Sequence, residues 1–335
     1  MVGLARDGIG DWRLIRCIGE GAFGAVYEAE RQSGGGQRAA VKVLHPHIAV
    51  HPDIQRRFVN EARAAARAEH ENIVRIFDSG ISDGTCYVAM ELLAGQTLRS
   101  ILQSSGPLGL FRTLDLGAQI ADGLAAAHAI GVVHRDLKPD NLFVMRRDAG
   151  EHVKVLDFGI AKLRNEGDHE TRSGTLLGTP AYMAPDQWLS LPDLDGRSDI
   201  YALGSILFEC LTGRLPLDAE TSHGWMHAHL SEPPLDGELF GVRPAVASLI
   251  RWMLAKRRES RIGSMPHVAA ELRALRHILE DAAPRPSTGV VARCVPAAMI
   301  LTPLSGRFHI SARHSILSPL RNGQAIAGLG IAVLG

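Results

Sequence analysis

The sequence predicts an α+β fold in two lobes, a small strand-rich lobe followed by a larger, mainly helical one. Up to about Tyr87, short runs of β-branched and aromatic residues alternate with glycine-containing turns, which is typical of strands. Beyond Gly95, longer apolar stretches have helical spacing. The chain has 335 residues, 46% hydrophobic and 21% charged, so it can bury a core and is not extensively disordered.

The strand-rich lobe is predicted to contain five strands and one important helix. The strands are expected at residues 12–18, 25–30, 39–44, 73–77 and 86–90. The helix is expected at residues 53–69, because Phe58, Ala62 and Ala65 follow helical spacing. Several arginines and an asparagine supply its polar face.

The helical lobe is predicted from two long apolar stretches, at residues 114–129 and 201–211. Further along, Pro284 and Pro286 lie in a segment typical of a linker. We therefore expect one large domain, followed by a linker and a poorly ordered tail. The expected limits are 12–279 for the domain, 12–93 and 94–279 for its lobes, and 280–335 for the linker and tail.

Composition argues against several classes of function. The formal net charge is +0, so a nucleic-acid partner is not expected. The four cysteines are far apart in the sequence, which favours reduced, partly buried thiols over disulfides or a zinc site. They are Cys17, Cys86, Cys210 and Cys294. The first residues lack the apolar core of a signal peptide, so we expect a cytoplasmic protein.

The end of the chain leaves two interpretations open. Residues 325–335 are apolar but far shorter than the roughly 20 residues that span a bilayer. Arg307, Arg313 and Arg321 precede them, as basic residues precede a membrane helix on its cytoplasmic side. The segment could be the beginning of such a helix or a terminus without regular structure. We expect no membrane anchor but leave this open.

The most informative stretch is residues 134–141, H-R-D-L-K-P-D-N, followed by D-F-G at residues 157–159. Together they offer carboxylates, an amide and a lysine, which are the groups that phosphoryl transfer from a nucleotide requires. Asp, Asn and Pro also favour ordinary turns, so the first segment alone could be a capped loop. Further features in the same order along the chain make the catalytic interpretation the stronger one.

In this order the two segments resemble the catalytic and metal-binding segments of bacterial eukaryotic-like (Hanks-type) serine/threonine protein kinases. The resemblance implies the bilobal protein-kinase-like fold. It also implies that Asp136 orients the attacking hydroxyl and that Lys138 stabilises the moving phosphoryl group. Asn141 and Asp157 would hold Mg²⁺, or Mn²⁺ in its place, beside ATP.

Residues 19–24 read G-x-G-x-x-G, which is a weak signal on its own. In a dinucleotide-binding site the last glycine opens a helix, whereas here Gly24 opens a predicted strand. A plain hairpin turn remains the alternative to a phosphate-covering loop. The resemblance implies that the following residues surround ATP: Ile18, Gly19, Glu20, Gly21, Ala22, Phe23, Gly24, Ala25, Val26, Ala40, Lys42, Glu91, Leu93 and Phe143.

Lys42 lies inside an apolar predicted strand. A strand lysine often just extends its ammonium into water. By resemblance Lys42 instead reaches the α- and β-phosphates and is steadied by Glu61, which we prefer to Glu69 and Glu71 because they lie at or beyond the helix end. Backbone groups of Glu91 and Leu93 would meet adenine, again by resemblance.

Arg135, beside the catalytic Asp136, implies control by phosphorylation, because a kinase arginine at this position pairs with a phosphate on the activation loop. We expect autophosphorylation, through a transient dimer of kinases, on one or more of three hydroxyls. These are Thr171, Ser173 and Thr175. A merely polar loop is the alternative. Thr179 is implied to contact the catalytic loop and to favour serine or threonine over tyrosine.

Two residues depart from the family pattern. Asp186 stands where the family usually has glutamate, whose buried partner corresponds to Arg261, so we expect a strained but charged pair. Ala65 is smaller than the residue usual at its position, which puts the rigidity of the active form in doubt. Asp199, in contrast, matches the aspartate that braces the catalytic loop.

The function implied is that of a non-specific serine/threonine protein kinase, which transfers the ATP γ-phosphate to serine or threonine hydroxyls of protein substrates. One alternative is a pseudokinase, an ATP-binding signalling scaffold; Lys42, Asp136, Asn141 and Asp157 are all retained, which argues against it. The other is a small-molecule phosphotransferase. Residues 178–185 resemble the protein-substrate platform of protein kinases, which such enzymes lack.

Overall fold

The structure is a computed structural model that describes residues 8–282 apart from 34, 51, 149, 159–179 and 192. The chain divides into the units Met1–Pro284 and Arg285–Gly335, and every described residue belongs to the first unit.

A five-stranded antiparallel sheet forms the first lobe, with strand order β1-β2-β3-β5-β4. The strands are β1 (Trp12–Gly21), β2 (Gly24–Arg31), β3 (Arg38–Leu44), β4 (Ile76–Ser82) and β5 (Thr85–Glu91). The short helix α1 (Pro46–Ala49) and the longer α2 (Pro52–Ala65) follow β3. The predicted strand-rich lobe with one important helix is therefore present, and α1 is an addition to it.

Both faces of the sheet are covered by apolar side chains. On one face, Phe58, Val59 and Ala62 of α2 pack with buried residues of β3 and β5. The other face forms a second cluster around Trp12, whose side chain is fully buried. Helical spacing in α2 and alternation along β3 and β5 thus place the sheet between two apolar layers.

Two predicted boundaries in this lobe are wrong. α2 ends at Ala65 and not at Glu69, because the amides of Arg67 and Ala68 bond the third residue back, as in the 2.9 Å bond from Ala68 N to Ala65 O. The strand expected at residues 73–77 begins only at Ile76. Val74 N instead donates to Val155 O at 3.0 Å, so this stretch pairs with the second lobe.

The second lobe is mainly helical. Its helices are α3 (Leu98–Ser105), α4 (Leu110–Ala129), α5 (Pro185–Trp188), α6 (Arg197–Thr212), α7 (Ser222–Ser231), α8 (Pro244–Met253) and α9 (Met265–Asp281). The two predicted helices lie within α4 and α6. Helix α6 is buried along nearly its whole length, so the other helices pack around it. Gly213 caps its end, and the left-handed φ of 71° at this glycine permits the amide to bond Glu209 O.

A small antiparallel sheet, not predicted from the sequence, lies in this lobe. It has the order β6-β7-β8, with β6 (Gln96–Thr97), β7 (Leu142–Arg147) and β8 (Gly150–Val155). The β7–β8 hairpin separates the two motif segments and fixes their spacing. Across the part of the chain that the structure describes, no helix has the length and apolar character needed to cross a membrane.

Candidate active site

The β7–β8 hairpin brings the two motif segments together. Leu142 pairs with Val155 across the hairpin, and Leu156 N donates to Asn141 O at 2.8 Å. Asn141 and Asp157 therefore lie at the same end of the hairpin, where the strands stop. This is the convergence that two metal-binding oxygen ligands need.

Asp199, at the start of α6, holds the catalytic loop by its backbone. Its carboxylate accepts the amides of His134 and Arg135, each at 2.9 Å, and lies 2.7 Å from His128 Nε2. Burial alone would raise the pKa of Asp199, but these hydrogen bonds and the nearby histidines hold its pKa below the usual range. The brace predicted from the sequence is confirmed, and His128 is a partner that the sequence did not indicate.

His134 joins the loop to the second motif. Its Nε2–H donates to Leu156 O at 2.8 Å, and its ring lies 4.8 Å, centroid to centroid, from Phe158. The amide of Asp136 lies 3.3 Å from His134 Nδ1. A neutral histidine with its proton on Nε2 satisfies both contacts. His134 is fully buried, so its role is to fix the loop.

Asp136, Lys138 and Asn141 form a compact polar group. Lys138 Nζ lies 2.8 Å from Asp136 Oδ2, and Asn141 Nδ2 donates to Asp136 O at 2.8 Å. The carboxylate keeps partial access to solvent, with 22% of its side chain exposed. Since the side-chain nitrogen Nδ2 of Asn141 is occupied by Asp136, the side-chain oxygen Oδ1 is the atom left to meet a cation.

Lys42, on β3, makes an ion pair with Asp157, with Nζ 2.7 Å from Oδ2. The predicted contact with Glu61 is not formed among the described residues: Glu61 Oε2 is buried without a hydrogen-bond partner. Burial raises the pKa of Glu61 to about 7, although the charges of Arg135 and Arg57 oppose this. The role of Glu61 in steadying Lys42 therefore stays a prediction.

Two residues of the site have left-handed backbone conformations. The φ angles of Arg135 and Asp157 are 64° and 53°. Neither is glycine, so each conformation is strained and must be held by its surroundings. The amide of Arg135 is held by Asp199, as described above. Strain of this kind clusters at sites where side chains need unusual directions.

The glycines around the turn between β1 and β2 differ in whether packing requires them. A Cβ on Gly24 would lie 2.0 Å from Val43 O, so close strand packing alone requires this glycine. A Cβ on Gly19 would contact nothing within 4 Å. Folding therefore gives no reason for Gly19, which is consistent with a backbone that a phosphate approaches. Ile18, at 40% exposure, lies open beside it.

The segment after β5 offers free backbone groups. Neither the amide nor the carbonyl of Leu93 has a hydrogen-bond partner among the residues that are described. Glu91 is held by its side chain, which accepts from Arg75 N at 2.7 Å and from Lys154 Nζ at 2.5 Å. Lys154, a lysine in an apolar strand, was missed, although the same signal drew attention to Lys42.

The other residues that were expected to contact the nucleotide lie on strands β2, β3 and β7 and around the turn between β1 and β2. Ala40 is buried on the β3 face that packs against Met90, and Val26 pairs with Lys42 in register. Phe143 pairs with Thr97 and is only partly buried. The residues Glu20, Gly21, Ala22, Phe23 and Ala25 occupy the turn and the adjoining ends of β1 and β2.

The predicted regulatory hydroxyls, Thr171, Ser173, Thr175 and Thr179, lie outside the described residues, as does Gly159. Arg135 is described, and its Nε is buried with no hydrogen-bond partner within the described part of the chain. A guanidinium nitrogen that lacks a hydrogen-bond partner can donate to an anion.

The unusual Asp186 does form a buried ion pair, with Arg261 Nη2 2.6 Å from Asp186 Oδ1. Ser198 Oγ donates to the other carboxylate oxygen. The guanidinium also donates to the carbonyls of Ala255, Arg197 and Lys256 at 2.8–3.0 Å. Backbone carbonyls thus satisfy the Arg261 guanidinium, and Ser198 satisfies Asp186 Oδ2. Asp186 Oδ1 has the ion pair but no hydrogen-bond partner among the described residues.

Comparison with known proteins decides the family. A model of the protein kinase domain matches residues 12–273. The chain belongs to the protein kinase family. Its relatives include the serine/threonine-protein kinases Pkn1 and Pkn3 of Myxococcus xanthus, at 45% and 39% identity. The matches cover 76% and 85% of this kinase but only 37% and 54% of those proteins.

Among solved structures, the crystal structure of the Mycobacterium tuberculosis PknI kinase domain is similar to this kinase, with a TM-score of 0.65 and 25% identity. The alignment covers 80% of this chain and 97% of the other. The bilobal architecture predicted from the sequence is confirmed by this likeness and by the sheet and helices described above.

Proposed function

We propose that this kinase transfers the γ-phosphate of ATP to serine or threonine hydroxyls of protein substrates, with its catalytic domain at residues 12–279. The observation that supports the proposal most strongly is the convergence of Lys42, Asp136, Asn141 and Asp157 from three separate segments. Phosphoryl transfer depends on positioning and charge neutralisation, and these four groups supply both.

The donor set suits magnesium or manganese. The carboxylate of Asp157 and the side-chain oxygen Oδ1 of Asn141 are hard ligands, and Mg²⁺ usually takes few protein ligands beside water and phosphate. No larger metal-binding cluster of His, Cys, Asp or Glu occurs within the described ranges. When bound, the cation and ATP supply the transferable phosphoryl group and neutralise charge on it.

Residues of the kinase itself would orient the substrate hydroxyl and hold the nucleotide. Asp136 would accept a hydrogen bond from the substrate hydroxyl and orient it, and Lys138, 2.8 Å from Asp136, would stabilise negative charge nearby. Lys42 would hold phosphate oxygens after leaving Asp157. Leu93 would offer its free amide and carbonyl to the adenine edge.

The finer points of the proposal are autophosphorylation on Thr171, Ser173 or Thr175 within a transient kinase dimer, and action in the cytoplasm. The first point is supported by Arg135 Nε, which is buried and has no hydrogen-bond partner among the residues that the structure describes. The scattered cysteines support the second, because free thiols are stable in a reducing compartment.

The test is transfer of labelled γ-phosphate to casein, followed by identification of the phosphorylated amino acids. We expect phosphoserine or phosphothreonine with the wild type, and a rate roughly 10²–10⁴-fold lower with Asp136→Asn, as for loss of a general base. Asp148→Asn, an exposed change of the same type in the β7–β8 turn, is the control and should keep the wild-type rate. Equal rates for Asp136→Asn and the control would refute the proposal.

A further inference from the structure

Arg99, near the start of α3, connects three parts of the helical lobe. Its Nη1 donates to Glu209 Oε1 of α6 at 2.7 Å, and its Nη2 donates to the Tyr182 hydroxyl. Its Nε lies 3.5 Å from Asp140 Oδ2 in the catalytic loop. One guanidinium thus serves two carboxylates that come from different elements.

Tyr182 completes the arrangement around Glu209. Its hydroxyl donates to Glu209 Oε2 at 2.6 Å, so both oxygens of this carboxylate are occupied. The Arg99 guanidinium carbon also lies 5.9 Å from the centroid of the Tyr182 ring. Glu209 and Tyr182 are buried, whereas Arg99 is partly exposed, so the arginine lies nearest to solvent of these three residues.

The cluster lies beside the place where a substrate must bind. Asp140 immediately precedes Asn141, whose side chain is bonded to Asp136. Tyr182 belongs to the stretch that was predicted to form the protein-substrate platform. Arg99 therefore bridges the catalytic loop and that platform. With 48% of its side chain exposed, Asp140 can be reached from solvent.

We propose that Arg99 sets substrate selectivity by occupying, from within the chain, the place that an arginine or lysine of a substrate would otherwise take. With Arg99 present, Glu209 and Asp140 already share a cation, and a basic substrate gains little from them. Without it, two carboxylates face the acceptor region with no cation between them. The inference rests on the proposed protein kinase activity and deepens it.

The chemistry favours a guanidinium in this position. Arginine offers planar, forked donors that reach several acceptors at once, which lysine cannot reproduce. A substrate arginine near the acceptor residue carries the same group. If Arg99 is removed, Glu209 becomes a buried carboxylate whose cationic partner is missing, and this makes capture of a substrate cation favourable.

The experiment compares kcat/KM for three synthetic peptides that share one threonine as the acceptor. The peptides differ only at the positions within three residues on either side of that threonine, where they carry alanine, arginine or glutamate. We expect the wild type to use the arginine and alanine peptides within about threefold of each other. Arg99→Met should prefer the arginine peptide at least tenfold, which is ~1.4 kcal/mol of transition-state binding. The double variant Arg99→Met/Glu209→Gln should lose that preference.

Ratios between peptides separate selectivity from general damage, because loss of packing lowers all three rates together. Arg99→Lys is the second variant, in case Arg99→Met does not fold. A lysine can neutralise Glu209 but not reach Asp140 as well, so we expect a smaller preference, about threefold, for the arginine peptide.

The inference is overturned if folded Arg99→Met or Arg99→Lys keeps the wild-type ratios, or if the double variant keeps the gained preference. Phosphorylation of casein by the wild type shows separately that the kinase activity itself exists. If casein and all three peptides remain unlabelled, the proposed function fails, and this inference fails with it.

Discussion

Lys42 and Asp157 are 115 positions apart in the sequence, yet Lys42 Nζ lies 2.7 Å from Asp157 Oδ2. The pair links β3 of the first lobe to the end of β8 in the second. Each group neutralises the other, so the pair competes with a phosphate for Lys42 and with a cation for Asp157. We infer that nucleotide and metal binding must separate these two residues.

The first prediction concerns Asp157→Asn. Removing this carboxylate takes away the proposed metal ligand and frees Lys42, so nucleotide affinity should no longer increase when Mg²⁺ is added. Titration of a fluorescent ATP analogue with and without Mg²⁺ measures this dependence. Asp148→Asn is the matched control and should keep it. A Mg²⁺ dependence unchanged in Asp157→Asn would exclude this residue as a ligand.

The second prediction concerns the pH dependence of stability. The pKa of Glu61 rises from 4.5 to about 7 in the folded state because of burial, so the native carboxyl holds its proton more tightly than the unfolded one. Stability should therefore fall as the pH rises from about 4.5 to 7, by at most about 3 kcal/mol from this group.

Glu61→Gln removes this titration. Urea unfolding at pH 5 and pH 8 should show a smaller loss of stability in Glu61→Gln than in the wild type. Glu69→Gln, an exposed change nearby, should behave as the wild type. If Glu61→Gln and the wild type lose equal stability between the two pH values, Glu61 is not the group that titrates.

The third prediction concerns Asp199, which accepts the amides of His134 and Arg135. In Asp199→Asn an amide nitrogen must face one of these donors, and the negative charge is lost. We expect a decrease of ~3–5 kcal/mol in the free energy of unfolding at pH 7, together with loss of activity. Because the pKa of Asp199 is lowered, its contribution is present at neutral pH and disappears as the pH falls through that lowered value. A decrease below ~1 kcal/mol would show that the brace is dispensable.

The fourth prediction tests whether aspartate is a defect at position 186. The pocket around Asp186 is filled by Arg261 and Ser198, so the longer side chain of Asp186→Glu should not stabilise the protein and should cost ~1–3 kcal/mol by overpacking. Asp186→Asn, which leaves Arg261 without its anion, should cost ~3–5 kcal/mol. Urea unfolding of both variants measures the two costs. Stabilisation by Asp186→Glu would mean that the native pair is strained, as the sequence suggested.

How much of the fold and of the site could be predicted depends on whether each feature is encoded by residues that are close together in the sequence. Strand alternation, helical spacing and the segment 134–141 are local, and they located the sheet, α2 and the catalytic loop. Val74 was misassigned because its partner, Val155, is far along the chain and pairs across the lobes. No short-range pattern indicates a contact of that kind.

The same limit applies within the site. Lys42 was predicted to be a functional residue. Whether its ammonium pairs with Asp157 or with Glu61, however, depends on where α2 lies against the sheet. Arg99 was missed because its partners, Asp140, Tyr182 and Glu209, come from three other segments. Side chains that act through long-range charge pairing become visible only once the fold is known.

A crystal structure with Mg²⁺ and a non-hydrolysable ATP analogue tests the central claim most directly. We predict oxygen atoms of Asn141 and Asp157 at ~2.0–2.1 Å from the cation, and Lys42 Nζ at ~2.7–2.9 Å from a phosphate oxygen instead of Asp157. Asp136 should lie near the γ-phosphate. An empty cleft at saturating analogue, or an analogue bound with the Lys42–Asp157 pair intact, would contradict the account.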